Sequence, residues 1–224
     1  MFDSLKLSDR QKRHCAILRE PSNTRPIVWR VEENGVRAIV KDFSVNKFLY
    51  RNIFGRFLVW REARAYKKLK NIKGVPTLYR VIDGLALVTE EMPGKTLGQL
   101  KHKNKIQVSF FDDLKDIVDR VHERGLVHCD LKRSGNILMG YDGAPYIIDW
   151  AASISENEFR FPIINKIYRR FVLDDYNAIV KQKLRHIPGL VTPEETQIYT
   201  RRSWVESTIR FLRDRLRAFI KKVA

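Results

Sequence analysis

The sequence predicts an α+β protein of two lobes, a small β-rich front lobe and a mostly helical back lobe. Three observations predict it. Short apolar runs separated by turn residues fill the chain as far as residue 90. The pattern changes at Glu91-Met92-Pro93-Gly94, and stretches of helical period dominate afterwards. The expected division is therefore 1–91 for the N-lobe and 92–224 for the C-lobe. A chain of 224 residues with 44% apolar content can bury a real core, and a cleft between two lobes is where a ligand is expected.

In order along the chain, Ile17-Leu18 begins a short strand and Glu20–Pro26 has loop chemistry. Ile27–Val31 and Val36–Lys41 form two strands around Asn34-Gly35, a pair that accepts positive φ at both positions of a hairpin turn. A helical pattern runs from about Lys47 to Lys70, with a break expected at Gly55, and Asn71–Pro76 stops it. Leu78–Ile82 and Leu85–Thr89 are two more strands joined by Asp83-Gly84. After the linker-like Glu91–Gly94, Phe110–Arg124 reads as a helix ending at Gly125. Leu126–Asp149 is a strand–loop–strand unit, and helices follow over Leu173–His186 and from Glu194 onward.

Composition excludes several classes. No stretch without Asp, Glu, Lys or Arg exceeds eight residues, whereas a spanning helix needs roughly 20 mostly apolar ones, so no transmembrane segment is expected. The first fifteen residues lack the apolar run and cleavage site of a secretory signal. Cys15 and Cys129 are too few for a disulfide framework, which suits a reducing compartment and a cytoplasmic protein. The formal charge of +17 favours polyanionic partners: nucleic acid, anionic lipid or phosphorylated substrates. No motif that reads nucleic acid accompanies the charge.

The chemistry is concentrated in Leu126-Val127-His128-Cys129-Asp130-Leu131-Lys132-Arg133-Ser134-Gly135-Asn136-Ile137-Leu138, followed by Tyr146-Ile147-Ile148-Asp149-Trp150. This stretch resembles the protein-kinase-like superfamily, whose catalytic loop reads H-R-D-L-x-x-x-N and whose metal aspartate opens D-F-G. The resemblance implies a kinase-like two-lobed fold with a truncated C-lobe, ATP and Mg²⁺ as cofactors, and transfer of a γ-phosphoryl group. Such transfer asks a protein mainly for positioning and charge neutralisation. The resemblance assigns Asp130 to the acceptor hydroxyl's proton and Lys132 to the γ-phosphate. Asn136 and Asp149 become the Mg²⁺ ligands, as hard oxygen donors suited to that ion. Lys41, in Ala38-Ile39-Val40-Lys41, corresponds to the strand lysine that meets the α/β-phosphates. Glu62, on the long helix, is its ion-pair partner. Leu87–Met92 resembles the hinge, with Glu90 and Met92 contacting adenine.

Five departures accompany the resemblance. Asn136 stands six residues after Asp130, where the superfamily has five, so Ser134-Gly135 must absorb an insertion through glycine's freedom. No G-x-G-x-x-G precedes Lys41. Ser22, Asn23 and Thr24 occupy that place and would bind phosphate by hydroxyls and backbone amides, as the Ser/Thr-containing loop of RIO-type kinases does. Asp149-Trp150-Ala151 replaces D-F-G, and Cys129 replaces the arginine that would bind an activation-loop phosphate. No A-P-E motif follows, and only Trp150–Leu173 separates Asp149 from the next expected helix, which leaves little room to dock a peptide. Asp174 or Asp175 stands in for the aspartate that braces the catalytic loop. A trimmed back lobe of this kind is similar to lipopolysaccharide core (Kdo and heptose) kinases and to RIO-like serine/threonine kinases.

Two segments could use the positive charge. In 201–224, Val205, Ile209, Leu212, Leu216, Phe219 and Val223 make an apolar stripe opposite Arg210, Arg213, Arg217 and Lys221. Such a helix either lies on an anionic membrane or docks its stripe on the back lobe. Over Phe48–Arg61 aromatics interleave with arginines. Core packing is expected to take most of the apolar ones, leaving Arg51 and Arg56 facing a partner. The preferred expectation is a kinase acting on a lipopolysaccharide core glycolipid at the inner face of the bacterial inner membrane. The alternatives are a RIO-like protein kinase and a pseudokinase scaffold, the latter motivated by the absent glycine loop and the shifted Asn136.

Overall fold

The computed structural model describes residues 2–11, 15–100, 106–158 and 162–200. The expected basic helix over 201–224 lies outside the described residues. The described chain forms two compact units, Met1–Ala63 with Thr77–Glu91, and Arg64–Pro76 with Met92–Arg201.

The first unit is built on an antiparallel sheet of order β1-β2-β3-β5-β4: β1 (Cys15–Arg19), β2 (Ile27–Glu33), β3 (Val36–Asp42), β4 (Leu78–Ile82) and β5 (Ala86–Glu90). Asn34 and Gly35 take φ of 52° and 77°, the tight turn expected between β2 and β3. Period-two alternation sends Trp29, Val31, Ala38, Val40 and Val88 into one buried cluster with Phe2 and Leu5. A second cluster joins Leu87 to Phe43, Tyr50, Val59 and Ala63. Tyr50, Val59 and Ala63 come from a helical run that changes pitch: α1 (Phe48–Tyr50), a π turn (Arg51–Gly55) and α2 (Arg56–Lys68). The break expected at Gly55 is therefore a widened turn. A side chain at Gly55 would bring its Cβ to 3.1 Å from Phe43 Cβ, so the glycine lets the helix approach the end of β3.

The aromatic and basic segment departs from expectation. Tyr50 and Val59 are buried, but Phe48, Leu49, Ile53, Phe57 and Trp60 are all about half exposed or more. Both arginines bond to backbone: part-buried Arg51 donates to the Ser44 carbonyl at 2.9 Å, and Arg56, which stays exposed, to the Asp83 carbonyl at 2.7 Å. The reason is local. Carbonyls left open by the Phe43–Asn46 turn and the β4–β5 turn lie within reach of these long side chains.

The second unit holds a three-stranded sheet of order β6-β8-β9 and a two-stranded one of β7 and β10. The strands are β6 (Gly94–Thr96), β7 (Leu126–Val127), β8 (Ile137–Gly140), β9 (Pro145–Ile147) and β10 (Ile154–Ser155). Its helices are α3 (Val108–Glu123), α4 (Pro162–His186) and α5 (Pro193–Thr200). α3 buries Phe110, Phe111, Leu114, Ile117, Val118 and Val121, the apolar stripe its spacing requires. It stops at Gly125, whose φ of 63° lets its N–H return to the His122 carbonyl at 2.8 Å. Two expectations are corrected here. Gly94 belongs to a strand paired with β8 rather than to a linker, and α4 begins at Pro162, not near Leu173. The stretch between Asp149 and the next helix is thus shorter than the sequence suggests. Among the described residues no helix is long and apolar enough to cross a membrane. Cys15 and Cys129 are both half-buried thiols.

Candidate active site

Each unit carries part of the expected machinery. In the first, β3 alternates Val40 and Asp42 on one face with Ile39 and Lys41 on the other. Lys41, registered against Leu87, therefore looks toward α2. Its ammonium lies 2.7 and 2.8 Å from the two oxygens of Glu62, whose side chain is only 3% exposed. A carboxylate so enclosed is tolerable only when paired, and a two-oxygen grip holds the ammonium in one place. The Glu20–Pro26 loop closes on itself through paired bonds, Ser22 N–H to the Arg25 carbonyl at 3.1 Å and Arg25 N–H to the Ser22 carbonyl at 3.2 Å. Ser22 and Asn23 are exposed and Thr24 half-buried at its tip. Glu90 ends β5 with its N–H on the Thr77 carbonyl at 2.8 Å and its carboxylate accepting from Thr77 N–H at 3.0 Å. Met92, the first residue of the second unit after the division, is half-buried.

In the second unit one buried carboxylate organises the loop. Asp175, 1% exposed, accepts His128 N–H at 2.7 Å and His122 Nε2 at 3.1 Å on one oxygen, and Cys129 N–H at 3.0 Å on the other. Cys129 takes φ of 66°, a left-handed conformation that a non-glycine residue adopts only when its surroundings enforce it. Asp175 is thus the bracing aspartate. Asp174 instead lies half-buried, 3.4 Å from Lys132 Nζ and 3.5 Å from Arg170. The His128 ring ties the two aspartate-bearing segments together. Its Nδ1 accepts Asp130 N–H at 3.2 Å, which leaves the ring proton on Nε2 to donate to the Ile148 carbonyl at 3.0 Å.

The six-residue spacing does not displace Asn136. A 3-10 turn over Ser134–Asn136 takes up the extra residue, with Asn136 N–H on the Arg133 carbonyl at 3.0 Å. The Asn136 side-chain NH₂ then donates to the Asp130 carbonyl at 3.0 Å and to its carboxylate at 3.2 Å. Both donors of that amide are turned toward Asp130, so its Oδ1 is the atom with lone pairs for a cation. The β8–β9 pairing continues through Ile148 N–H to the Asn136 carbonyl at 3.0 Å, which sets Asn136 beside Asp149. Asp149 itself is left-handed, with φ of 66°. An amide oxygen and a carboxylate at one end of a hairpin are the hard donors that Mg²⁺ takes, with waters and phosphate oxygens completing its shell.

Glycine's freedom is not what absorbs the insertion. Gly135 has no positive φ, and an added Cβ would meet nothing within 4 Å. Gly135→Ala is therefore expected to change stability by no more than about 0.5 kcal/mol, read from denaturant unfolding.

Tyr168, on α4, gives a second measurable expectation. Burial, reinforced by Glu156, Asp175 and Cys129, pushes its phenol up to about 12, and its hydroxyl is enclosed with no hydrogen-bond partner among the described residues. The folded chain holds this proton more tightly than the unfolded one. The stability it contributes is complete below pH 10 and is lost as the pH rises from about 10 to 12. Tyr168→Phe should flatten that part of the alkaline unfolding curve at little cost near neutrality.

Sequence reasoning missed three groups. Gln182, buried on α4, donates to the carbonyls of Leu131 at 3.4 Å and Lys132 at 3.3 Å, holding the His128–Asn136 loop from behind. A signal for it exists, because Asp175, Ala178, Ile179 and Gln182 share one helical face. The same period separates Asp175 from Asp174. Asn46 and Tyr50, which reach the Glu20–Pro26 loop, left no local pattern.

Comparison with known proteins agrees with this geometry. A family model, described as the RIO domain, matches residues 40–170, more than half the chain. No curated protein matches. Among solved structures the chain is similar to the Rio2 kinase from Chaetomium thermophilum, with a TM-score of 0.61 at 17% identity over 88% of this chain and 67% of that one. It is also similar to the Rio2 kinase–ADP/Mg²⁺–phosphoaspartate complex from the same organism, with a TM-score of 0.56 at 18% identity over 81% of this chain and 60% of that one. At these identities the structural likenesses establish the fold, which is kinase-like. Of the two expected resemblances it is the RIO one that the matches bear out. From the matched domain, the chain belongs to the RIO domain family.

Proposed function

We propose that the chain transfers the γ-phosphoryl group of Mg-ATP to a hydroxyl acceptor in the manner of a RIO-like serine/threonine kinase. The observation that carries this reading is the Asn136 amide on Asp130, achieved despite the extra loop residue, with Asp149 alongside. In this reading Asp130 takes the acceptor's proton, and Asn136 keeps that carboxylate pointed. Lys41, gripped by Glu62, meets the α/β-phosphates, while Ser22, Asn23 and Thr24 cover them. Asn136 and Asp149 hold the metal, and Glu90 and Met92 contact the base. Bound Mg-ATP supplies the transferable group and neutralises charge on its oxygens. Lys132 adds positive charge toward the γ-phosphate once its ammonium leaves Asp174, from which it stands 3.4 Å.

A sugar acceptor, as in lipopolysaccharide core kinases, is the second reading. The brevity of the stretch between Asp149 and α4 favours it, since little chain is left there to dock a peptide. The net charge of +17 would suit its phosphates and an anionic membrane. Labelled ATP offered to protein mixtures and, separately, to core glycolipid separates the two. Phosphate on serine or threonine in trans supports the first reading, and phosphate on glycolipid alone replaces it with the second. Nucleotide binding with no transfer to either would return the pseudokinase.

A further inference from the structure

The Glu20–Pro26 loop lacks the glycines that usually let a phosphate-covering loop bring its backbone close to a ligand. What shapes it is a side-chain clamp from the segment leading into α1. Asn46, 6% exposed, donates its NH₂ to the Ser22 carbonyl at 2.7 Å and the Arg25 carbonyl at 3.1 Å, with the Asn23 carbonyl at 3.4 Å. Tyr50, 3% exposed, donates its hydroxyl to the Thr24 carbonyl at 2.9 Å. All these loop groups are acceptors, so the Asn46 amide is fixed with nitrogen toward the loop. Its Oδ1 is buried with no partner among the described residues, where the side chain's bonds all go to the loop. Burial pushes the Tyr50 phenol above its ordinary value, keeping the hydroxyl a donor at neutral pH.

Peptide planarity carries the consequence. In a trans peptide the N–H points opposite to the preceding carbonyl. With the Ser22 and Asn23 carbonyls drawn toward Asn46, the N–H groups of Asn23 and Thr24 both point away from it, side by side at the tip of the loop. Successive amides aimed one way make a small anion-binding concavity. No glycine is needed to produce it, because the clamp supplies from outside the shape that glycine would allow from within.

We infer that Asn46 and Tyr50 are positioning residues that hold the Asn23 and Thr24 amides toward the nucleotide's phosphates, and so set phosphate affinity without touching the nucleotide. The inference rests on the phosphotransferase reading above, and it adds the device that replaces the missing glycine loop. Neither residue belongs to a kinase motif, and both lie too far along the chain from the loop, 24 and 26 residues, for spacing to reveal them.

The test compares ATP, ADP and adenosine binding by titration calorimetry on the 224-residue chain, as wild type, Asn46→Ala and Tyr50→Phe. The clamp predicts that ATP and ADP bind about tenfold more weakly to Asn46→Ala, and several-fold more weakly to Tyr50→Phe, while adenosine affinity stays the same. Thermal unfolding run beside it shows whether each variant folds. Equal weakening for adenosine and ATP would mean a general structural role, and unchanged ATP affinity in both variants would mean the loop does not depend on the clamp. Either result overturns the inference. If wild type binds no nucleotide at all, the phosphotransferase reading falls first and the clamp's role with it. If Asn46→Ala fails to fold, Tyr50→Phe, which removes one oxygen and keeps the ring, decides alone.

Discussion

Asparagine in place of Asp130 is expected to slow phosphoryl transfer by about 10²–10⁴-fold while leaving unfolding and nucleotide affinity near those of the wild type. The contacts around Asp130 explain the selectivity. Its backbone N–H rests on His128 and its carbonyl takes the Asn136 amide, so neither bond involves the side chain that changes. The carboxylate receives Asn136 Nδ2 at 3.2 Å and the exposed Arg133 at 3.2 Å. An amide oxygen can still accept the first, and the second is a surface pair worth little. What the substitution removes is the capacity to take a proton. Single-turnover transfer with saturating Mg-ATP measures it. Transfer within threefold of wild type would remove Asp130 from the chemistry, and loss of nucleotide binding together with transfer would make its role structural.

Much of this site was legible because the chemistry imposes local spacing. Lys41 and Glu62 were paired by motif, and the structure joins them by two short bonds. The strands flanking Asn34-Gly35 and Asp83-Gly84 follow from turn chemistry, and β4 spans the residues expected. The unreadable parts depend on tertiary partners. No sequence rule says that a 3-10 turn, rather than glycine, would absorb the residue before Asn136. Nor does one say that Arg51 and Arg56 would each find a backbone carbonyl to bond. The early start of α4 was missed because its period carries little amphipathic contrast. The choice between Asp174 and Asp175 turns on which helical face is buried, and the period shared by Asp175, Ala178, Ile179 and Gln182 carried that signal in the sequence.

That choice has the largest consequence for the folded state. Asp175→Ala is expected to cost about 3–5 kcal/mol and to lower the melting temperature by roughly 10 °C. Three donors lose their acceptor at once: the backbone N–H groups of His128 and Cys129, and His122 Nε2. Leaving a buried donor unmade costs about 1–3 kcal/mol, more than a hydrogen bond's net worth. The left-handed Cys129 also loses what holds it, so the strain at φ of 66° is released by moving the loop rather than borne. Asp175→Asn should fall between, because the bonds use both carboxylate oxygens and an amide offers only one. Asp174→Asn is the matched control. Its contacts to Lys132 and Arg170 are at 3.4 and 3.5 Å and partly solvated, worth less than about 1 kcal/mol. Denaturant unfolding of the three variants ranks them. If Asp174→Asn proves as damaging as Asp175→Ala, the brace is misassigned and the catalytic loop is held by some other means.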